Sequence, residues 1–207
     1  EAALLAGVRE RNEAGGGAAV TISLPTAPAV RGYGWVNWHD AVVYLVVRDT
    51  GRPIDGLLLR ADPGGVAVTA APVGVAHAAD GGPPVPPPRD RVWTYRRWGQ
   101  PADAPGGADL DLLVTEVLWL ASAERDDAVA LQAAATRLRT DEVSGVAVNV
   151  FEIPRAGDRT AGDRRLRYWV DSGGVLRRLE LRSGPGAFAQ VDLEPADPPA
   201  IPAVPTV

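Results

Sequence analysis

The stretch Leu166-Arg-Tyr-Trp-Val-Asp-Ser-Gly-Gly-Val-Leu-Arg-Arg-Leu-Glu-Leu-Arg-Ser-Gly-Pro-Gly-Ala-Phe-Ala-Gln-Val-Asp-Leu193 decides the class of this chain. It divides into three short alternating segments. Ser172-Gly-Gly separates the first two, and Ser183-Gly-Pro-Gly the last two. Alternation at period two, bounded by glycine turns, predicts three consecutive antiparallel strands.

Working outward, the same grammar recurs. Val146 to Ile153 reads as a strand after the Ser144-Gly turn. Upstream of it, Ala128 to Thr140 is open to both helix and strand, and strand is favoured from about Ala134. In the N-terminal half, Ala18 to Leu24 alternates, with Val20, Ile22 and Leu24 on one face. Val30 to His39 is a second strand, and its Gly32 and Gly34 suggest a bend or bulge. Ala41 to Arg48 is apolar on both faces, which predicts a central strand with a cover on each side. Leu57 to Ala61 and Val66 to Ala71 complete a meander. Two helices stand out. Glu1 to Ala14 ends at Gly15-Gly-Gly17. Ala108 to Ser122 carries Leu110, Leu113, Val114, Val117, Leu118 and Ala121 at helical spacing, with Asp109 as its expected N-cap. Leu112, Trp119 and Leu120 widen its apolar arc, so it is covered on most sides or faces a cavity on one. Gly74 to Asp90 and Pro101 to Gly107 are irregular, and Val92 to Trp98 between them is a short strand or amphipathic loop.

Strands in runs with few helices between them predict an α+β domain over residues 1–193. The proline-rich residues 194–207 are expected to form an extended, loosely packed tail.

Composition narrows the function. The 207 residues suit one domain, and 46% are apolar. The net charge of −5 argues against nucleic-acid binding and against a polybasic membrane patch. All 21 basic residues are Arg, a usage that fits a GC-rich genome. Cysteine is absent, which removes disulfides and thiolate metal sites. The first residue is Glu1 and not Met, so the chain reads as a processed or trimmed product, with room upstream for a signal peptide or a lipid-anchor cysteine.

Catalytic groups do not converge. His39-Asp40 reads as a turn, since a general base needs a positioned partner and none is evident. No spacing resembles a metal-ligand set. Ser23, Ser122, Ser144, Ser172 and Ser183 lie in strand, helix-end or turn contexts outside any nucleophile elbow. The pairs Arg96-Arg97, Arg164-Arg165 and Arg177-Arg178 are candidate grips for an anionic head group, or else solvated strand edges. The six tryptophans either line an apolar pocket or fill a core poor in Phe and lacking Met. Trp93 and Trp98 flank irregular segments and are expected near an opening. Trp169 alternates with arginines and is expected on an outer face beside their stems.

The segment Tyr168 to Leu181 is similar to the closing hairpin of actinobacterial LppX/LprG-type cell-envelope lipoproteins, which belong to the LolA-like superfamily. The helix at 108–121, the Val143-x-Gly-x-x-Val-x-x-Phe151 stretch and Gly32-Tyr-Gly-Trp-Val-Asn-Trp38 resemble further parts of that family, in the same order. The resemblance implies a strongly curved antiparallel sheet, an open half-barrel of about ten strands, with helices covering its concave face. Between them it implies an apolar cavity for acyl chains. The expected function is therefore a non-catalytic lipid carrier or chaperone, monomeric and without cofactor. Its expected place is extracytoplasmic, in the cell envelope, either membrane-associated through an upstream anchor or secreted. The expected lining is Ile22, Trp35, Val43, Leu45, Trp93, Leu113, Val117, Leu118, Trp119 and Phe151. Burying an acyl chain there gains ~0.8 kcal/mol per methylene. The alternative is a sensor or protein-interaction domain on the same fold, its concavity filled by large side chains.

Overall fold

A computed structural model describes residues 2–51, 56–72, 83, 85–101, 106–124, 126–154, 165–184 and 187–206. The described strands are β1 (Gly17–Leu24), β2 (Val30–Asn37), β3 (Val42–Asp49), β4 (Gly56–Asp62), β5 (Gly65–Ala70), β6 (Thr94–Arg97), β7 (Thr136–Val143), β8 (Val146–Pro154), β9 (Arg165–Asp171), β10 (Leu176–Gly184) and β11 (Ala187–Pro195). They form one antiparallel sheet in the order β6-β5-β4-β3-β2-β1-β11-β10-β9-β8-β7. Each half of the chain is a meander, and the halves meet where β1 pairs with β11, from Ala18 opposite Pro195 to Ser23 opposite Gln190. The sheet does not close, because β6 and β7 remain edges. This is the expected open half-barrel, with eleven strands.

Local chemistry explains the turns. The β7–β8 connection is Ser144-Gly145, both at positive φ of 50° and 80°, the two-residue turn whose twist matches that of a hairpin. Between β9 and β10, Asp171 accepts from the N–H of Gly173 and of Val175, and Gly174 takes a φ of 78°. Within β2, Gly34 lies so close to β3 that a Cβ there would meet the Tyr44 carbonyl and the Leu45 Cα. Glycine there permits the tight approach expected of a bent strand.

The described helices are α1 (Ala2–Ala6), α2 (Val8–Gly15), α3 (Gly107–Leu118) and α4 (Ala128–Ala134). The expected single N-terminal helix is thus two, broken at Gly7. Helix α3 starts at Gly107, so Asp109 is a first-turn acid and not the N-cap. The ambiguous segment 128–140 divides: Asp127 caps α4 by accepting from Val129 and Ala130 N–H, and the strand begins at Thr136.

The strand parities separate two faces. The inner face holds the main cluster, including Val20, Ile22, Val36, Val43, Leu45, Leu179 and Val191, covered by Leu110, Leu113, Val114 and Val117 of α3 and by Leu5 and Val8. The outer face of β3, β4 and β5 holds a second cluster of Val42, Tyr44, Val46, Leu58 and Ala67 under Trp93 and Ile201. Strand β3 therefore has the two covers its composition demands. The outer cover is the C-terminal segment itself. Ile201 is buried, Pro202 O accepts from Arg60 Nε at 3.2 Å, and Thr206 makes a parallel bridge with Trp93. The segment expected to be loosely packed is thus docked along the sheet. Farther along the outer face, Trp169 packs with Val143, Val148 and Val150. Arg139 and Arg178 lie 5.8 and 6.0 Å from its ring, and Asp141 accepts from its Nε1 at 3.2 Å. The ring is on the outer face as expected, but the arginines beside it come from β7 and β10; Arg167 of its own strand, expected there with Arg165, lies instead over the Phe188 ring at 4.2 Å.

Candidate functional site: an apolar groove at the end of helix α3

The helix α3 is apolar around most of its girth, and its arc continues into Trp119 and Leu120. Its inward side chains Leu110, Leu113, Val114 and Val117 are fully buried against the sheet. The space directly beneath the helix is filled. Apolar space opens instead at its C-terminal end. A groove of about 360 Å³ lies there between Trp38, Trp98, Leu118, Trp119, Pro63 and Ala121, with Glu13 and Thr115 also contributing. That volume sits at the lower end of the roughly 300–1,000 Å³ typical of small-molecule pockets.

The two inner tryptophans are held in place. Trp38 Nε1 donates to Val117 O at 3.0 Å, and Trp98 Nε1 donates to Asp62 O at 3.0 Å. Both indole donors are satisfied, so the rings present apolar surface to the groove. Helix α3 ends at Leu118, and Trp119 at the C-cap is 63% exposed. An indole that exposed beside half-buried Leu118 and Trp98 marks an unpartnered apolar patch. The far end of α3 is tied down by Asp111, which takes a bidentate ion pair from Arg96 of β6. Near the groove, Asn12 Nδ2 donates to Leu120 O at 2.7 Å, and Arg9 bridges Trp119 O and Asp126 at 3.0 Å each.

A smaller cavity of about 170 Å³ is lined by Ala18, Val175, Leu176 and Leu193 with Arg11 and Asn12. Trp38 lines this cavity as well as the groove. Its indole is a wall common to both.

Of the residues expected to form the lining, Ile22, Val43, Leu45, Leu113, Val117 and Phe151 come together in the inner cluster. Leu118 is at that cluster's edge and reaches the groove, and Trp119 stands at the groove's rim. The other two are placed elsewhere. Trp35 alternates onto the outer face, because Gly34 and Val36 take the inner positions. Trp93 is completely buried on the outer face, its Nε1 donating to Pro88 O at 2.9 Å, rather than standing at an opening. Trp38 and Pro63 were missed. Trp38 lies one residue past β2 yet keeps the parity of Val30 and Val36 and joins the inner cluster, so choosing Trp35 for the lining took the wrong face of this strand.

The remaining candidates have structural roles. His39 Nε2 lies 3.0 Å from Glu13 O, and Asp40 exchanges hydrogen bonds with Asn37 in a turn. His77 and Arg164 fall outside the described residues. Arg96 is held by Asp111, Arg177 by Asp171 at 2.9 Å and Arg178 by Asp192 at 2.5 Å, so the charge of each is already balanced by an internal carboxylate. Burial pushes the Tyr168 hydroxyl up, reinforced by the nearby Glu116 carboxylate. Among the described residues, no group of three or more His, Asp or Glu is placed to hold a metal ion.

Neither a protein-family model nor a curated protein matches the sequence. Solved structures resemble the fold. The chain is similar to the Mycobacterium tuberculosis lipoprotein LppX, at 14% identity, 93% coverage of each chain and a TM-score of 0.47. It is similar to LprF from Mycobacterium bovis at 13% identity, covering 98% of this chain and 96% of that one, with a TM-score of 0.45. A LolA superfamily protein from Nitrosomonas europaea also matches, at 14% identity over 95% of this chain and 92% of that one, with a TM-score of 0.28.

Proposed function

We propose that this protein binds the acyl chain of a lipid or other acylated amphiphile without chemical conversion, as a carrier or chaperone. The observation that supports this is the apolar groove at the end of α3, rimmed by the exposed Trp119 and leading past Trp38 towards a second apolar space. An alkyl chain laid there leaves water at ~0.8 kcal/mol per methylene. Specificity comes from the volume available and from Glu13 and Thr115 at the rim. The sequence resemblance supports a cell-envelope location, outside the cytoplasm and membrane-associated. No described helix is long and apolar enough to cross a membrane.

A second reading has its own support. The side chains beneath α3 are fully buried, as in a domain that encloses no ligand and docks a protein through its exposed surface. Native mass spectrometry of protein extracted from its own envelope separates the two. Co-purifying acyl species support the carrier. Bare protein that also fails to displace a fluorescent fatty acid in solution refutes it and favours the interaction domain.

A further inference from the structure

The sheet carries another cleft, on the outer face and away from α3, with a volume of about 460 Å³. Strand register defines its walls. Glu194 of β11 lies opposite Ala19 of β1, and Ala19 lies opposite Trp35 of β2. One row along, Asp192 lies opposite Thr21, and Thr21 opposite Tyr33. Strands are about 4.8 Å apart, so the aromatic row and the carboxylate row stand roughly 10 Å from each other. The small Ala19 and Thr21 form the floor between them. Arg177 and the β7–β8 turn complete the lining.

The polar groups are fixed but not saturated. Asp192 accepts from Arg178 Nε and from Gln190 Nε2 at 2.8 Å, and a carboxylate has about four acceptor positions. Arg177 is held by Asp171, and a guanidinium has about five N–H donors. A ligand with full positive charge would meet Arg177. One with full negative charge would meet Asp192 and Glu194. A purely apolar ligand would strip water from all three without replacing its hydrogen bonds. A neutral, polyhydroxylated ring meets none of these objections. Its hydroxyls serve donors and acceptors alike, and its C–H face suits the electron-rich faces of Trp35 and Tyr33. We propose that this cleft binds a neutral saccharide, with one ring against Trp35 and Tyr33 and hydroxyls hydrogen-bonded to Asp192, Glu194 and Arg177.

The test is calorimetric titration of the full chain with maltotetraose, cellotetraose and chitotetraose, with tetramethylammonium chloride and sodium phosphate as charged controls. At least one saccharide is expected to bind with a Kd of about 1 mM or tighter, and the controls to give no heat. Trp35→Ala should weaken that binding about tenfold. Because Trp35 also packs on the outer cluster, Thr21→Phe is the second variant; it fills the floor from a position outside both clusters and should block binding. Leu118→Arg, on the opposite face, should leave saccharide affinity unchanged. Silence from all three saccharides, tighter binding of a charged control, or undiminished binding by Thr21→Phe would each overturn the proposal.

Discussion

Asp171 is a charged side chain only 7% exposed, and it organises the turn between β9 and β10. One oxygen accepts two backbone N–H groups and the other holds Arg177. Asp171→Ala leaves all three donors unpaired in a poorly solvated turn and should cost about 3 kcal/mol. For a chain of this size that lowers Tm by roughly 6–12 °C, readable by circular dichroism. Asp171→Asn keeps an acceptor for the turn and should lose distinctly less; equal losses would show that the ion pair, not the turn, carries the effect. Asp141 tests the outer face by titration. The N–H of Glu142, with the Trp169 indole and Arg139, holds its carboxyl below the ordinary carboxylate range. A depressed carboxyl contributes stability above its unfolded pKa of about 3.9, and that contribution disappears as pH falls through the native value. Asp141→Asn should therefore lower Tm at neutral pH, with the gap to the parent protein closing in strong acid. A gap independent of pH would mean that packing against Trp169 is responsible. In the groove, Leu118→Arg puts a guanidinium on the apolar wall and should abolish uptake of a fluorescent fatty acid. Because Leu118 is only half-buried, the circular dichroism spectrum should stay that of the parent.

At the scale of elements, β3 needs a cover on both faces, and each comes from far along the chain. Ile201 is one of the few long apolar side chains in the proline-rich C-terminal segment, and it seals Tyr44, Val46 and Leu58. Ile201→Ala should cost at least about 2 kcal/mol, and deletion of residues 196–207 more, with increased binding of a hydrophobic dye. An unchanged Tm after deletion would mean that Trp93 alone suffices as the cover. That β3 is two-sided can be read from its apolar residues on both parities, Val42 to Val47, and all six are buried. The identity of its outer cover could not, because prolines make no ladder and the contact is between side chains distant in sequence. Strand β2 is the converse. Val30 and Val36 alternate with Tyr33 and Trp35, so both faces are apolar and parity alone does not say which is inner; the inner face fell to the glycines. Helix α3 is read from the sequence as running on to Ser122, four residues past its end at Leu118, so the helical phase that would bury Trp119 stops before reaching it.

For the molecule as a whole, the decisive feature is that β6 and β7 are opposite edges of the sheet. The chain between them must cross ten inter-strand spacings, roughly 48 Å if flat. It does so over the inner face, and α3 and α4 belong to that crossing; α3 packs on both β3 and β11, spanning the junction of the two meanders. Such a crossing covers the middle of the sheet tightly and leaves space where the helix stops. The groove sits at the α3 C-terminus, and the smaller cavity, among α2, β1, β10 and β11, shares Trp38 with it. If acyl chains occupy the groove, affinity should rise with chain length by ~0.8 kcal/mol per methylene, roughly fourfold, until the chain meets Trp38. Trp38→Leu removes most of that partition while keeping an apolar contact on Val117. Competition by a series of saturated fatty acids should then plateau several carbons later than in the parent protein. A plateau at the same length in both would show that Trp38 does not limit the chain and that the smaller cavity is not part of its path.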